Sequence, residues 1–438
     1  MGDYLSILSD RTAIRGRQEE LFGHMLQRVL RDNPFYKRKY SDLLLPAGGL
    51  RLRDLDALPL TDKDELAADQ ELHPPYGTNL TLPFAEYTRV HQTSGTTGTP
   101  LRWLDTPESW QWWLDCWAEV YEAAGVGPDD RIFVPFSFGP FIGFWTAFEA
   151  GPQVGAITIP AGGLTSEQRV DKLFEYDATV VVCTPTYALR LAQIARETGR
   201  DLAASSVRVT IHAGEPGASL PNVKARIEEA WGARCVDHAG ATEAGAWGYG
   251  CGHADHMHIN ESAFIAEVID PKSLEPAPVG PGSRQEGELV LTNLGRIGSP
   301  VIRYRTGDLV EMSRGPCPCG RPTAWLRGGV LGRIDQMVTV RGINVYPSAI
   351  ENIVRAHRAI DEYEAHVRTE REMADLVLLV EVTDGDPAAV AKALEEDVHD
   401  KLQLRPRVEI VSGGSLPRYE LKSKRFRGIT DDRGTGKD

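Results

Sequence analysis

Thr179-Val180-Val181-Val182-Cys183, followed by Thr184-Pro185, is an apolar, β-branched run too short for a helix and closed by a turn signal. It reads as a buried strand. Comparable runs occur at Arg131-Ile132-Phe133-Val134, Gln153 to Ile159, Val207-Arg208-Val209-Thr210-Ile211 and Arg234-Cys235-Val236, with helical stretches such as Ser166 to Tyr176 and Leu220 to Trp231 between them. Strands that alternate with helices pair in parallel, so the spacing predicts an α/β fold whose functional loops lie at the carboxyl ends of the strands.

Downstream the pattern changes. Gly287-Glu288-Leu289-Val290-Leu291-Thr292 and Pro300-Val301-Ile302-Arg303-Tyr304 read as strands of a more antiparallel unit. Gly332-Arg333-Ile334-Asp335 marks a boundary, beyond which a short strand, a helix from Ser348 to His357, strands near Tyr363–Val367 and Asp375–Val382 and a helix from Pro387 to Leu402 form an α+β pattern of small-domain size. The expected organisation is a large α/β domain over 1–332, with parallel sheets and a distorted antiparallel β unit, and a small α+β domain over 333–438.

At 438 residues the chain exceeds what one core usually supports, and 42% hydrophobic content is that of an ordinary globular protein. A net charge of −14 argues against a nucleic-acid partner, since phosphate backbones are bound through clustered Lys and Arg. Met1-Gly2-Asp3-Tyr4-Leu5 lacks the basic-then-apolar layout of a signal peptide, and no window is apolar enough to span a bilayer, so no membrane partner and a cytoplasmic location are expected. The helical pattern over 11–40 is interrupted at Asn33-Pro34. A later helix opens at Thr106-Pro107-Glu108 and carries Trp110, Trp113, Trp117 and Tyr121 on one face, a stripe read as core-facing rather than ligand-lining.

The six cysteines are too few for a disulfide framework. Cys116, Cys183 and Cys235 stand alone in apolar contexts. Cys317-Pro318-Cys319-Gly320 places two thiols on one turn, and Cys251 with His258 completes a Cys₃His set suited to structural Zn²⁺. His253, Asp255 and His256 are substitutes for His258, and reduced free thiols are the alternative.

The run His91-Gln92-Thr93-Ser94-Gly95-Thr96-Thr97-Gly98-Thr99-Pro100 offers backbone N–H groups and hydroxyls to a polyphosphate. It is not a Walker A loop, because Gly98 is followed by Thr99 and Pro100 rather than by Lys and Ser or Thr.

Taken in order, these blocks resemble the acyl-adenylate-forming superfamily, in its phenylacetate–CoA ligase-like branch. Thr93 to Pro100 is similar to the family's phosphate loop, Gly240-Ala241-Thr242-Glu243 to its Gly-x-Thr-Glu signature and Tyr304-Arg305-Thr306-Gly307-Asp308 to its Tyr-Arg-Thr-Gly-Asp. Gly332-Arg333-Ile334-Asp335 with Val340-Arg341-Gly342-Ile343-Asn344-Val345-Tyr346-Pro347 resembles its hinge segment, and Leu416 to Arg425 the segment bearing its catalytic lysine.

The resemblance implies that Thr93, Ser94, Gly95, Thr96, Thr97 and Gly98 hold ATP phosphates, that Glu243 binds Mg²⁺ and that Thr242 bonds the α-phosphate. Asp308 would accept the ribose hydroxyls with Arg333 beside the same sugar, while Gly214, Glu215, Pro216, Asp237, His238, Ala239 and Gly240 border the nucleotide. Lys422 is the implied catalytic lysine, with Lys424 as an alternative because Leu421 replaces the usual glycine. Asp335 is the implied hinge of a mobile small domain, and Arg341 and Gly342 would line the passage of the acceptor. Two further departures are Ala239, where most relatives carry an adenine-stacking aromatic, and Leu101, where many carry a lysine.

The acid would sit against Phe136, Phe138, Gly139, Phe141, Ile142 and Trp145, with His212, Ala213 and Gly240 as further walls. So aromatic a segment suits a flat ring. The implied activity is that of an AMP-forming acid–CoA ligase acting on an aryl carboxylic acid, with CoA as acceptor. An amine, a carrier-protein thiol or another small nucleophile of natural-product biosynthesis is the alternative acceptor, and a degenerate nucleotide-binding regulator the alternative outside catalysis. A homodimer is implied by the resemblance alone.

Overall fold

The computed structural model describes residues 10–43, 50–93, 100–252, 256–370, 373–420 and 422–430. Helices α1 (Arg11–Asp32), α2 (Pro34–Lys39) and α3 (Lys63–Leu72) come first. Asn33 closes α1 and caps α2, its side chain accepting from Tyr36 N, because Pro34 has no N–H with which to extend α1. The basic stretch after Pro34 is therefore a second, short helix.

Strands β1 (Arg89–Gln92) and β2 (Arg102–Asp105) pair antiparallel on either side of residues 94–99. Helix α4 (Pro107–Ala123) follows, its N-terminus fixed by Thr106, which accepts from Ser109 N. Trp110, Trp113, Trp117 and Tyr121 are all buried, so the stripe is core, as its spacing predicted.

The alternation then proceeds through β3 (Arg131–Val134), α5 (Trp145–Ala150), β4 (Ile157–Pro160), α6 (Ser166–Glu175), β5 (Val180–Cys183), α7 (Pro185–Glu197), β6 (Val209–His212), α8 (Pro221–Trp231) and β7 (Arg234–Ala241). Strands β8 (Gly245–Gly250), β9 (His256–Ile259), β10 (Phe264–Ile269), β11 (Arg284–Asn293), β12 (Tyr304–Ser313) and β13 (Trp325–Arg333) complete the region. Parallel and antiparallel parts are one eleven-stranded sheet, in the order β10-β11-β12-β13-β9-β8-β7-β6-β5-β3-β4. The junction is β7, whose Arg234–Asp237 half runs parallel to β6 and whose His238–Ala241 half pairs antiparallel with β8.

Two expected strands shift. Gly151–Val154 forms a 3₁₀ turn, so the strand predicted from Gln153 begins at Ile157. Residues 300–303 are not a strand, because Arg303 adopts φ 48° and turns its guanidinium inward to Glu267 and the carbonyls of Asp56 and Leu58. Pairing starts only at Tyr304.

Beyond β13 lie the hairpin β14 (Val338–Val340) and β15 (Ile343–Val345), then α9 (Pro347–Ala356), β16 (Ile360–Glu370), β17 (Met373–Val382), α10 (Pro387–Leu402), β18 (Arg407–Val411) and β19 (Phe426–Thr430). Their four-stranded sheet has the order β18-β17-β16-β19. Ile350, Val354, Ile360, Leu378, Leu394 and Val398 fill a core of its own. Among the described residues no helix is long and apolar enough to cross a membrane.

Candidate active site at the carboxyl edge of the sheet

The parallel strands β5, β6 and β7 end side by side, with Cys183 in register with His212 and His212 with Asp237. Chain leaving such an edge is where open α/β sheets place their ligands. The loop after β6 turns at Gly214, whose φ of +96° is one that side chains rarely adopt. A Cβ there would also come within 3.3 Å of Lys422 Cε, so the glycine lets the lysine lie against the backbone.

Lys422 is brought here by the return of the chain from β18 toward β19. Its side chain keeps a solvent-facing edge, yet the surrounding protein strips enough water to lower its pKa below the ordinary lysine value. The carboxylates of Glu215, Glu243 and Asp308 act in the opposite sense, and the Arg333 charge acts with the desolvation. Lys424 is exposed. Leu421 lies outside the described residues. Next to the lysine, Ser423 N donates to Glu215 Oε2 at 2.7 Å, while Thr186 N donates to Glu215 Oε1 at 3.0 Å. Glu215 thus ties the N-terminus of α7 to the lysine loop, a bridging position that sequence reading did not foresee.

Thr242 and Glu243 sit on the hairpin turn between β7 and β8. The fully buried Arg296 holds this turn from below, its Nη1 donating to the Thr242 carbonyl at 2.5 Å and to the Glu243 carbonyl at 3.2 Å. The Glu243 carboxylate accepts from the Tyr304 hydroxyl at 3.1 Å. Half-buried and oriented in this way, it is a hard oxygen of the kind that could hold a divalent cation.

Asp308 follows a tight turn at Gly307, where φ is +73°. Arg333 Nη1 donates to its Oδ1 at 3.2 Å, and Arg333 Nε donates to Asp335 Oδ1 at 2.9 Å. One guanidinium therefore spans the carboxylates of Asp308 and Asp335. Desolvation nevertheless dominates at Asp308 and raises its pKa to about 6.

Phe136, Ile142 and Phe144 belong to the large core, whereas Phe138, Phe141 and Trp145 are only half-buried against it. The rings form a connected cluster, with Phe136 and Phe144 at 5.1 Å and Phe138 and Trp145 at 4.5 Å between centroids. Trp145 Nε1 donates to the Gly139 carbonyl at 3.0 Å. Trp117 of α4 joins the cluster to β7 by touching both Phe144 and His238. Gly143 is obligatory, since a Cβ would meet Phe136 at 2.7 Å.

Burial lowers His212 and His238 to about 4, so both are neutral imidazoles at physiological pH. His238 Nδ1 lies 2.6 Å from the Gly248 carbonyl, and a Cβ on Gly240 would come within 3.2 Å of His238 Nε2. His212 Nδ1 lies 3.1 Å from the Cys183 carbonyl, while its buried Nε2 has no protein partner among the described residues. Ala213 is buried, Ala239 packs half-buried against the core, and Pro216 continues the Gly214 loop. Asp237, enclosed with Ser219, has its pKa raised by desolvation to about 7.

Other predicted positions fall apart from this centre or outside the described chain. Thr93 is buried and its Oγ1 accepts from Leu101 N at 3.0 Å, but Ser94, Gly95, Thr96, Thr97 and Gly98 lie outside the described residues. Leu101 is core, and Arg102 donates instead to the Pro75 carbonyl at 3.1 Å. Arg341 and Gly342 form the exposed β14–β15 turn, with Arg341 Nε donating to Asp375 at 2.6 Å.

A second cluster is separate from these groups. The ligand atoms of Cys251, His258, Cys317 and Cys319 all lie within 4.8 Å of one another. Cys251 and Cys317 sulfurs are 3.8 Å apart, the separation of about 3.8 Å that two Zn–S bonds span in a tetrahedral site. His258 Nε2 faces Cys319 at 3.2 Å and its Nδ1 is held by Thr323 Oγ1 at 2.9 Å, the outer contact that orients a metal-binding imidazole. His256 stacks on Trp325 beside Cys317, outside that set, and His253 and Asp255 lie outside the described residues.

The AMP-binding enzyme family matches residues 89–295, and the AMP-binding enzyme C-terminal domain matches residues 342–433. A solved 2-hydroxyisobutyryl-CoA ligase in the postadenylation state superposes with a TM-score of 0.86 at 30% identity, covering 96% of this chain and 89% of that one. The chain belongs to the AMP-binding enzyme family. Phenylacetate-coenzyme A ligases are similar along nearly their whole length, the Thermus thermophilus protein at 29% identity over 94% of this chain and 95% of its own. The Escherichia coli protein of that name is 29% identical over 91% of each. The 2-hydroxyisobutyryl-CoA ligase in its thioesterification state gives a TM-score of 0.68, so this chain is more similar to that ligase's postadenylation structure.

Proposed function

We propose that the chain is an AMP-forming aryl-acid–CoA ligase, which activates phenylacetate or a close aryl relative with ATP and transfers the acyl group to CoA. The gathering of Glu243, Asp308 and Arg333 around Lys422, which lies against the Gly214 loop, carries this reading, in a chain that aligns along nearly its whole length with phenylacetate–CoA ligases.

In the first step the acid carboxylate attacks the α-phosphorus of ATP, and pyrophosphate leaves. Two anions must approach, so the step needs positive charge near the reacting oxygens. Lys422 supplies an ammonium there. Glu243 would hold Mg²⁺, which when bound neutralises phosphate charge. Thr242 bonds the α-phosphate, Thr93 and the segment after it cradle the outer phosphates, and Asp308 with Arg333 fixes the ribose. The half-buried rings of Phe138, Phe141 and Trp145 form the wall against the aryl group, with Ala213 and Gly240 as further walls.

In the second step the part beyond Asp335 swings, withdrawing Lys422 and bringing the Arg341-Gly342 turn to the passage of the CoA arm. The thiolate then attacks the acyl carbon and AMP leaves. The Cys251, His258, Cys317 and Cys319 set would hold Zn²⁺, which when bound cross-links β8, β9 and the turn before β13 without touching the reaction. ATP–pyrophosphate exchange with phenylacetate, followed by mass detection of phenylacetyl-CoA, tests the reading. Exchange without thioester, or thioester formed only from aliphatic acids, would refute it.

A further inference from the structure

Arg169 of α6 is buried, and among the described residues no carboxylate pairs with it directly. A buried cation without an anion is costly, so the path of its hydrogen bonds matters. Its Nε donates to the Ala161 carbonyl at 3.0 Å, its Nη2 to Ser137 Oγ at 3.0 Å and its Nη1 to the Tyr187 hydroxyl at 2.6 Å. Tyr187 lies 2.8 Å from Ser166 Oγ, and Ser166 donates to Glu420 Oε1 at 2.8 Å.

Each hydroxyl has a single proton to give. Because Ser166 gives its proton to the carboxylate, Tyr187 must donate to Ser166, and Arg169 to Tyr187. The chain of bonds has one polarity, from a buried guanidinium to a carboxylate that stands two residues before Lys422. Hydrogen bonds aligned in this way reinforce one another. The other arm of Arg169 reaches Ser137, between Phe136 and Phe138 of the aromatic segment.

Resting on the function proposed above, we propose that Arg169, Tyr187 and Ser166 form a socket for Glu420, and that these four are positioning residues which seat Lys422 for adenylation. Glu420 supplies from outside the sheet the anion that Arg169 lacks within it. When the lysine loop leaves for thioester formation the socket loses that charge, so the relay favours the adenylation arrangement and contributes nothing to the second step.

The test compares wild type with Glu420→Ala, Glu420→Gln, Tyr187→Phe and the Glu420→Ala/Tyr187→Phe double variant. Glu420 is exposed and Tyr187→Phe conserves core volume, so all should fold. Glu420→Ala should lower kcat for ATP–pyrophosphate exchange with phenylacetate on the order of 10–100-fold, with KM for the acid and the rate of thioester formation from supplied phenylacetyl-AMP within about twofold of wild type. Glu420→Gln, which still accepts from Ser166 without the charge, should fall between. The double variant should be no slower than the worse single one, since both cut one chain. Hydrogen exchange over 415–424 in the ligand-free full chain should quicken in Glu420→Ala and Tyr187→Phe. Equal slowing of both half-reactions, additive effects, or unchanged exchange over 415–424 would overturn the proposal. If wild type activates no aryl acid, the ligase reading fails, while hydrogen exchange still decides whether the socket seats the loop.

Discussion

Arg296 and Asp105, 191 residues apart in sequence, are joined by bonds of 2.8 and 2.7 Å with both side chains wholly excluded from water. Arg296 also carries the Thr242 and Glu243 carbonyls, so the pair is the floor of the turn from which the proposed magnesium ligand projects. Removing one partner strands a buried charge. Arg296→Met should therefore destabilise the fold by about 3–5 kcal/mol and reduce adenylation. The double variant Arg296→Met/Asp105→Leu should recover much of the stability, because an apolar pair of similar volume is tolerated. It should not recover activity, since the turn has lost its donors. Urea unfolding and pyrophosphate exchange on the same preparations separate the two effects.

The two lysines of the final loop differ in surroundings. Both are exposed, but Lys422 lies against Gly214 and within the field of Glu243 and Asp308. Lys422→Ala should slow pyrophosphate exchange on the order of 100–1,000-fold, the usual effect of losing one group that stabilises developing charge. Thioester formation from supplied acyl-adenylate should be nearly unaffected. Lys424→Ala should change either half-reaction by no more than about threefold.

Asp308 gives a pH signature with a definite sign. Its carboxyl is raised from 3.8 when free to about 6 in the fold, so the neutral form is the one the fold prefers. The corresponding stability is complete below pH 3.8 and is lost as pH rises through about 6. At pH 7.5 Asp308→Asn should thus raise Tm, on the order of 1–3 °C. ATP binding should respond oppositely, because ribose hydroxyls need the ionised acceptor. KM for ATP in wild type should climb as pH falls below 6, by up to about tenfold per pH unit, and Asp308→Asn should abolish that dependence while weakening ATP at every pH.

The thiol cluster should carry one metal ion per chain. Elemental analysis of the purified protein is expected to find zinc in about equimolar amount. Cys317→Ser or chelation should remove it and lower Tm, while KM for ATP and acid in the surviving folded fraction stays near wild type. A metal-free protein of unchanged Tm would show that the four groups are simply reduced thiols and a core histidine.

The fold was legible wherever local pattern and burial agree. The β-branched run at Val180–Cys183 is buried on both faces of a parallel sheet and announces itself, as does the cap at Thr106 with Pro107. Residues 300–303 looked like a strand because Pro300, Val301 and Ile302 are apolar, but the left-handed Arg303 and its inward guanidinium depend on Glu267, Asp56 and Leu58, which no local window contains. The site divides in the same way. Thr242, Glu243, Asp308, Arg333 and Lys422 stood in motifs whose order was readable. Arg296 and the Arg169 chain were not, because each acts through partners distant in sequence and carries no signature of its own, and although Tyr304 and Glu215 stood in readable segments, their bonds to Glu243, Ser423 and Thr186 were hidden for the same reason. The aromatic segment was readable only in part. Spacing could not separate Phe136 and Ile142, which are core, from Phe138, Phe141 and Trp145, which are half-exposed.

Supplying ATP, CoA and Mg²⁺ with phenylacetate, a straight-chain fatty acid and 2-hydroxyisobutyrate in parallel, and following pyrophosphate release and acyl-CoA by mass, tests the central claim most directly. The account predicts AMP, pyrophosphate and phenylacetyl-CoA in equal amounts, with kcat/KM for the aryl acid at least about tenfold above either aliphatic acid. Pyrophosphate release driven best by an aliphatic acid, or none with any of the three, would contradict it.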